Sequence, residues 1–319
     1  MRLFNDKVTI AIRSACWSLA AVLILSAIPF AVTQWNRPAF SFPQPELPPT
    51  ADPRYRGVRV PVVALNIDRD HDVKQRARTL TELTKYGTPT SNYRFVADGP
   101  FLIADPDRTR VAPWALEVLT AKSVQGHADR DDDKWIADES VPIEWRAVDT
   151  DYVRSGWDRG HLLASKNHAI TEKSQSKTFS LRNAMPQTPE LNRGLWRKLE
   201  EDIRQRLLDQ EALPLNRSAH VLTIALWVKD ERNNICARTI GGGIWCPTHC
   251  AKAALWVTPN QRPAPDDYMV ECWIISNDGT VKGTLDDYRV SGDELEAVAG
   301  LDLFAGLPDD VENKLEARP

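Results

Sequence analysis

Apolar residues are distributed along this chain in three patterns, and each predicts a different element. The first is an unbroken run, Ser14 to Thr33, in which 20 consecutive positions carry no charge. At about 1.5 Å per residue such a helix spans a hydrocarbon core of roughly 30 Å. Residues 14–34 therefore read as a transmembrane anchor, with a cleaved signal segment as the alternative. Arg2, Lys7 and Arg13 in the short tail, residues 1–13, put that end on the cytoplasmic or equivalent side. The second pattern is a spacing of four. Leu191, Leu195, Leu199, Ile203 and Leu207 lay one slowly winding stripe along a helix that starts near Pro189 or Glu190 and runs toward Leu208. The third is the short continuous run, seen at Val221–Val228 and Ala253–Val257, which has strand length. Tyr93 to Ile103 reads as a hairpin between turn signals at Asp98-Gly99 and Asp105-Pro106, and Pro113 to Leu119 as one short helix or strand. Ser291-Gly-Asp-Glu294, followed by Leu295, Val298 and then Gly300, is a capping box with a glycine stop.

Six prolines between Pro38 and Pro53 separate the apolar run from these elements. Residues 35–56 are thus a semi-rigid, extended spacer. From residue 57 to 319 the composition is that of one folded domain, and strands on both sides of the helix predict a mixed α+β architecture, with sheets packed around a long central helix. The whole chain is 42% apolar and 26% charged, which excludes collagen, coiled coil and wholesale disorder.

Charge changes this picture locally. The formal net charge of −4 argues against coating nucleic acid by bulk positive charge. Between Asp151 and Arg206, however, eleven basic residues face seven acidic ones, so this stretch is +4 while the remainder is −8. Contacts of that kind, to phosphate rather than to base edges, bind without regard to sequence. Four cysteines, Cys236, Cys246, Cys250 and Cys272, fall within the domain, and Cys16 within the apolar run. Cys246 and Cys250 have the spacing of one zinc-binding pair, but the other two do not form a second. On the far side of a membrane two disulfides are the expected use, with buried thiols as the alternative. The acidic stretches around Asp68, Asp70 and His71, and around His127 and Asp129, have no metal-loop spacing and read as solvated surface.

The chemistry concentrates in about 45 residues. Ser155–Ser165 (SGWDRGHLLAS) puts Asp158, Arg159 and His161 on a glycine-containing turn leading into a strand. Arg182-Asn-Ala-Met-Pro-Gln187 is a second polar turn, and Leu191-Asn-Arg-Gly-Leu-Trp196 opens the helix. Asn192 sits in the first helical turn as an oxygen donor. Glu200 lies eight residues on, only about 80° further around the helix, and can approach the same place. Read blandly, Asn192 is an ordinary cap and Glu200 a solvated partner of Arg193 or Arg204.

DRGH, RNAMPQ and LNRGLWRKLE, in this order and spacing, resemble the DNA/RNA non-specific endonuclease family. The resemblance extends to Tyr86-Gly-Thr-Pro, Arg108–Trp114, Cys246–Lys252 and Val290–Glu296, and covers roughly residues 57 to 307. It implies a ββα-metal (His-Me finger) fold and hydrolysis of phosphodiester bonds in DNA and RNA, with Mg²⁺ as cofactor and Mn²⁺ as a substitute. It further implies His161 as general base, Asn192 as the single protein ligand of the metal, and Glu200 as a residue ordering the metal's waters. Arg159 and Asn183 would contact the phosphate or position the base, and Arg130 would be a further catalytic arginine. The chain departs from the family pattern at Leu163-Ala164, Arg182 and Ala225-Leu226, and Arg182 and Leu163 lie near enough to the site to alter substrate choice or rate. The expectation is a membrane-anchored, sugar-nonspecific endonuclease facing a bacterial periplasm or a mitochondrial intermembrane space, with a homodimer among the assemblies it admits. Its rivals are an inactive membrane-tethered binder of nucleic acid, and a phosphodiesterase acting on a smaller substrate.

Overall fold

The apolar runs of strand length pair with one another at the middle of a large sheet. The structure, a computed structural model, describes residues 63–65, 79–89, 93–97, 99–128, 134–209, 217–230, 234–235, 237–260 and 264–316. In chain order these form β1 (Val63–Leu65), β2 (Phe95–Ala97), β3 (Phe101–Ala104) and β4 (Trp114–Thr120). There follow β5 (Asp158–His161), the short helix α1 (Glu172–Ser176) and β6 (Ala184–Gln187). Next come the turn α2 (Pro189–Leu191) and the helix α3 (Arg197–Leu208). The remaining strands are β7 (Ser218–Leu226), β8 (Thr239–Ile240), β9 (Ile244–Trp245), β10 (His249–Val257), β11 (Tyr268–Ser276) and β12 (Arg289–Val290). Two helices close the described chain, α4 (Gly292–Ala299) and α5 (Asp309–Glu316).

Eight strands form one sheet in the order β1-β2-β3-β4-β7-β10-β11-β12, antiparallel except for β1 beside β2. Strands buried on both faces read as unbroken apolar runs, and β7 and β10 are buried in this way. On one face, Ala115, Val221, Cys250 and Trp256 pack under Leu199, Ile203 and Leu207 of α3 and under the β5–β6 ribbon through Ala184 and Met185. On the other, Leu116, Leu222, Ala253 and Cys272 pack under Leu295 and Ala299 of α4 and Val311 and Leu315 of α5. The sheet is therefore the centre of the domain. The expected arrangement of sheets around a central helix is replaced by one large sheet with helices on both faces.

The hairpin expected from Tyr93 to Ile103 is β2–β3, paired Phe95↔Ala104, and Pro113–Leu119 resolves as strand β4. The C-terminal capping box is complete. Ser291 Oγ accepts from the Glu294 N–H at 3.1 Å, the Glu294 carboxylate accepts from the Ser291 N–H at 2.9 Å, and Gly300 stops α4 at φ 65°. The expected helix from Pro189 to Leu208 is present with a difference. A wide π-type turn, Asn192–Trp196, with Gly194 at φ −101° and ψ −112°, lies between α2 and α3. A four-residue spacing drifts around an ideal α-helix, because 3.6 residues make a turn. A turn holding more residues takes back part of that drift, and all five stripe residues are buried.

Two expectations change. Cys246, Cys250 and Cys272 are free and buried, so no disulfide joins any of them. Cys250 faces the α3 side of the sheet and Cys272 the α4 side, as strand alternation requires. Burial pushes the Cys246 and Cys250 thiols up to about 12, which leaves almost no thiolate at neutral pH. Arg182, one of the departures from the family pattern, is buried in an ion cluster. Its Nε donates to Asp138 at 2.7 Å, one terminal nitrogen to Asp105, and the other to Ser140 Oγ at 2.8 Å. The tail, the anchor at 14–34, the spacer, Cys16, Cys236, Asp68, Asp70, His71, Asp129 and Arg130 lie outside the described residues. Among the described residues no helix is long and apolar enough to cross a membrane.

Burial alone would raise the Asp138 carboxyl, but hydrogen bonds from Ser140 and Arg182 outweigh it and hold the group below its ordinary range. The stability this contributes is complete above the unfolded value near 4 and is lost as pH falls through the depressed one. Arg182→Met should therefore lower the unfolding free energy by about 3 kcal/mol at pH 7, because two carboxylates lose a buried partner. The deficit should narrow on acidification, as the Asp138 carboxyl protonates and ceases to need it. Urea midpoints of both proteins at pH 7 and pH 3 measure both effects.

Candidate active site

DRGH is itself a strand rather than a turn before one. β5 pairs antiparallel with β6 in the register Asp158↔Gln187, Arg159↔Pro186, Gly160↔Met185 and His161↔Ala184. Its glycine is required by close approach. A Cβ at Gly160 would stand 2.0 Å from Gln187 Oε1 and 2.4 Å from its Cδ, so any side chain collides with the fully buried Gln187. The chain then leaves the ribbon, and Asn183 fixes how it leaves. The Asn183 amide accepts from the Leu163 N–H at 2.9 Å and donates to the carbonyls of Leu163 at 3.1 Å and Thr178 at 2.8 Å. That side chain is wholly buried, and its hydrogen bonds hold the backbone that follows His161. The imidazole of His161 packs against two aromatic rings that also touch each other, Trp135 at 4.5 Å and Phe179 at 5.0 Å between centroids.

Strand β5 is tied to the π-type turn at both ends. At its start, Asp158 accepts from Asn192 Nδ2 at 2.9 Å and is gripped by Arg193 through two bonds of 2.7 and 2.8 Å. Partial burial opposes ionisation of Asp158, but these bonds from Arg193 and Asn192 hold its carboxyl below the usual range. At its end, Trp196 Nε1 donates to the His161 carbonyl at 3.4 Å. Asn192 and Trp196 share one turn of helix, so His161 and Asn192 are carried by elements bolted together. Arg159 points to the opposite flank. It donates to the Asp149 carboxylate at 2.7 Å and carbonyl at 2.9 Å, and its guanidinium lies 5.3 Å from the Tyr152 ring.

Glu200 follows on α3, half-buried, with its Oε1 atom enclosed and without a hydrogen-bond partner. Burial pushes this carboxyl up to about 7, Lys252 pulls it back, and Glu117 pushes it further. Beneath it the sheet carries charge. Lys252 of β10 donates to Thr223 Oγ1 at 2.5 Å and to the Leu162 carbonyl at 3.3 Å, and stands 4.6 Å from the centre of the Trp196 ring. Glu117 of β4 takes bonds from His168 Nε2 at 2.8 Å and Asn167 Nδ2 at 3.1 Å. Neither Lys252 nor Glu117 is among the site residues expected from the sequence. Both had a legible signal, one charge set in an otherwise apolar strand, which is affordable only when paired.

The donor set suits a hard divalent cation. Asp158 engages the nitrogen end of the Asn192 amide, which leaves the oxygen as its ligating atom, and the orphaned Glu200 oxygen needs a proton donor such as a bound water. One neutral oxygen with waters is a coordination Mg²⁺ accepts, since it dehydrates reluctantly. The structure thus brings His161, Asn183, Asn192 and Glu200 onto contiguous elements and turns Arg159 toward Asp149, while Arg130 lies outside the described residues.

Residues 81–310 match the family described as DNA/RNA non-specific endonuclease. The chain is 41% identical to human "Endonuclease G, mitochondrial" over 120 residues, 38% of this chain and 40% of that protein. It is 31% identical to the Caenorhabditis elegans "Endonuclease G, mitochondrial" over 71% of this chain and 72% of the relative. The Saccharomyces cerevisiae "Mitochondrial nuclease" is 29% identical over 70% and 69%. The match thus spans well under half of the human protein but more than two thirds of the nematode and yeast ones. A crystal structure of an EndoG/EndoGI complex superposes with a TM-score of 0.64 at 27% identity, covering 72% of this chain and 93% of that one. With a family match across most of the domain, and its motif residues standing on a ribbon and helix bound to each other, this chain belongs to the DNA/RNA non-specific endonuclease family.

Proposed function

We propose that the chain is a Mg²⁺-dependent endonuclease, accepting Mn²⁺ as a substitute, that hydrolyses phosphodiester bonds of both DNA and RNA. The observation that carries this reading is the double tie between the strand bearing His161 and the turn bearing Asn192, through Asp158 and through Trp196. It holds a base and a metal ligand in one rigid frame, which is what hydrolysis of a phosphodiester requires.

In this reading His161 accepts the proton of the attacking water, a task suited to an imidazole near neutral pH. Trp135 and Phe179 restrict its ring, and Asn183 holds the backbone that follows it. Asn192 Oδ1 would hold the cation, and Glu200 would accept a hydrogen bond from a water on it. When bound, the metal supplies stabilisation of the negative charge that develops on the phosphate. Arg159 exchanges its bonds to Asp149 for the substrate's phosphate, and Arg130 is the further arginine of the site. Basic residues around Asp151–Arg206 attract the polyanion without reading its sequence. The uncharged run at 14–34 supports a membrane anchor that holds the nuclease on the far side. Of the two compartments this orientation fits, the mitochondrial names of the relatives support the intermembrane space over a periplasm.

His161→Ala should fold normally and bind DNA as the parent does, while nicking of supercoiled plasmid in Mg²⁺ slows at least about 10²-fold. Cleavage within a few-fold of the parent rate removes His161 as the base.

Asn192→Ala should lower activity by orders of magnitude and shift the Mg²⁺ dependence to higher concentration. Asn192→Asp should not restore the rate. It sets a second carboxylate 2.9 Å from where Asp158 now accepts a hydrogen bond, and its charge offsets that of the ion. Rates titrated against Mg²⁺ for the three proteins test this, and an unchanged profile for Asn192→Ala places the metal elsewhere.

Because the folded Glu200 carboxyl titrates near 7, above its unfolded value, the metal-free protein is favoured with Glu200 protonated. That contribution is complete below about pH 4.5 and is lost as pH rises through 7. Melts in EDTA should show the parent losing stability between pH 5 and 8 relative to Glu200→Gln, whose amide does not titrate. Parallel curves for the two proteins would rule out that titration.

A further inference from the structure

Lys252 is fully buried in the middle of the sheet, and no step of the proposed chemistry uses it. Its neighbours on the same face of β10, Cys250, Ala254 and Trp256, belong to the apolar core. A methionine in its place would keep the packing without burying an ammonium, and exchanges of that kind are often neutral or stabilising. The lysine therefore needs a reason other than stability, and its hydrogen bonds supply one.

The backbone that follows the His161 side chain is held group by group. The His161 carbonyl accepts from Trp196 Nε1 at 3.4 Å. The Leu162 N–H donates to the Asn183 carbonyl at 3.0 Å. The Leu163 N–H and carbonyl are both taken by the Asn183 side chain, at 2.9 and 3.1 Å. The remaining group, the Leu162 carbonyl, accepts from Lys252 Nζ at 3.3 Å. Lys252 reaches it from β10, so this bond ties the segment to the large sheet. Thr223 Oγ1, directly across the ladder on β7, accepts from the same nitrogen at 2.5 Å and sets its place. The Trp196 ring, 4.6 Å from that nitrogen at its centre, packs on it. Glu200 and Glu117 balance the charge. The indole and the Leu162 carbonyl, which both act on the backbone of His161, thus meet at one ammonium.

We propose that Lys252 is a positioning residue for the nuclease reaction: by donating to the Leu162 carbonyl and supporting the Trp196 ring, it sets the direction in which His161 presents its imidazole. The inference rests on the reading of His161 as the base. An imidazole is aimed by the backbone that carries it, and a misplacement of about 1 Å costs up to about 10²-fold in rate. Lys252 is enclosed by the core, so it acts on the chemical step and not on the capture of DNA.

The test compares full-length parent, Lys252→Met, Thr223→Val and His161→Ala by plasmid nicking in Mg²⁺ and by NMR of ¹³C-labelled histidines. Ring currents of Trp135 and Phe179 displace the His161 signal, which therefore reports where the imidazole sits, and its loss in His161→Ala identifies it. His220, packed on Tyr86 on the opposite face of the sheet, reports on the rest of the domain. Lys252→Met should lower kcat at least about tenfold with KM for DNA within about twofold of the parent. Its His161 signal should move while that of His220 stays in place. Thr223→Val keeps the side-chain shape and takes one acceptor from the ammonium. It should change kcat and the His161 signal in the same direction by less, and it carries the test if the methionine protein does not fold. A kcat within about twofold of the parent in every variant that folds overturns the proposal. So does a raised KM at unchanged kcat, which assigns the lysine to binding. A loss of rate in which His220 moves as well assigns it to the sheet at large and overturns the proposal too. His161→Ala cleaving as fast as the parent removes the base and this inference with it. With that control slow, an unaffected Lys252→Met protein defeats this inference and leaves the nuclease reading standing.

Discussion

A lysine ammonium buried at the centre of the sheet governs how the nuclease face is built. Lys252 is 1% exposed, and burial drives its pKa down while Glu200 and Glu117 pull it back. An ammonium in such a place must find its donors' partners and its counter-charge inside the protein. It finds the first in Thr223, directly across the ladder on β7, and in the carbonyl of Leu162, the residue after β5. It finds a further contact in the Trp196 ring, whose negative face lies toward it. A central strand, the exit of the His161 strand and the turn that carries Asn192 are thus referred to one charge. Displacing Lys252 would move all three, though it lies outside the three blocks that carry His161, Asn183 and Asn192.

The two faces of the sheet solve the problem of buried charge differently. Under α3, Lys252 stands against Glu117 and Glu200, and His168 and Asn167 bond to Glu117. Both signs are present, so this face can be dry and rigid while leaving one Glu200 oxygen in need of a partner. Under α4 and α5, Glu296, Glu312 and Glu316 crowd together, and burial and its acidic neighbours push the Glu316 carboxyl up to about 8. The same strands support both, since successive residues of β7, β10 and β11 face opposite ways.

Local patterns in the sequence carry the local features of the fold. The β2–β3 hairpin, the apolar strands β7 and β10, the capping box at Ser291 and the stripe from Leu191 to Leu207 are all where residue spacing puts them, because each depends on neighbours a few positions away. The π-type turn is not legible in that spacing. A five-residue turn and an α-turn present similar fourfold stripes, and Gly194, the residue that departs from helical geometry, reads only as a weak helix former. His161 and Asn192 stand out through motif and order. What their neighbours do is set by pairing across long sequence distances: Arg159 meets Asp149, Asn183 is consumed by Leu163 and Thr178, and Lys252 meets Thr223. The disulfide expectation fails for the same reason, since strand register, invisible in cysteine spacing, puts Cys250 and Cys272 on opposite faces.

The three buried thiols have a consequence for where this protein can mature. Cys246, Cys250 and Cys272 are core residues of two packed layers and almost wholly protonated at neutral pH. Assembly of those layers consumes no oxidant, and a reductant finds no bond there to break. The core can therefore form in a reducing or an oxidising lumen alike, before or after its delivery. Among the described cysteines, redox chemistry therefore sets no address for this core.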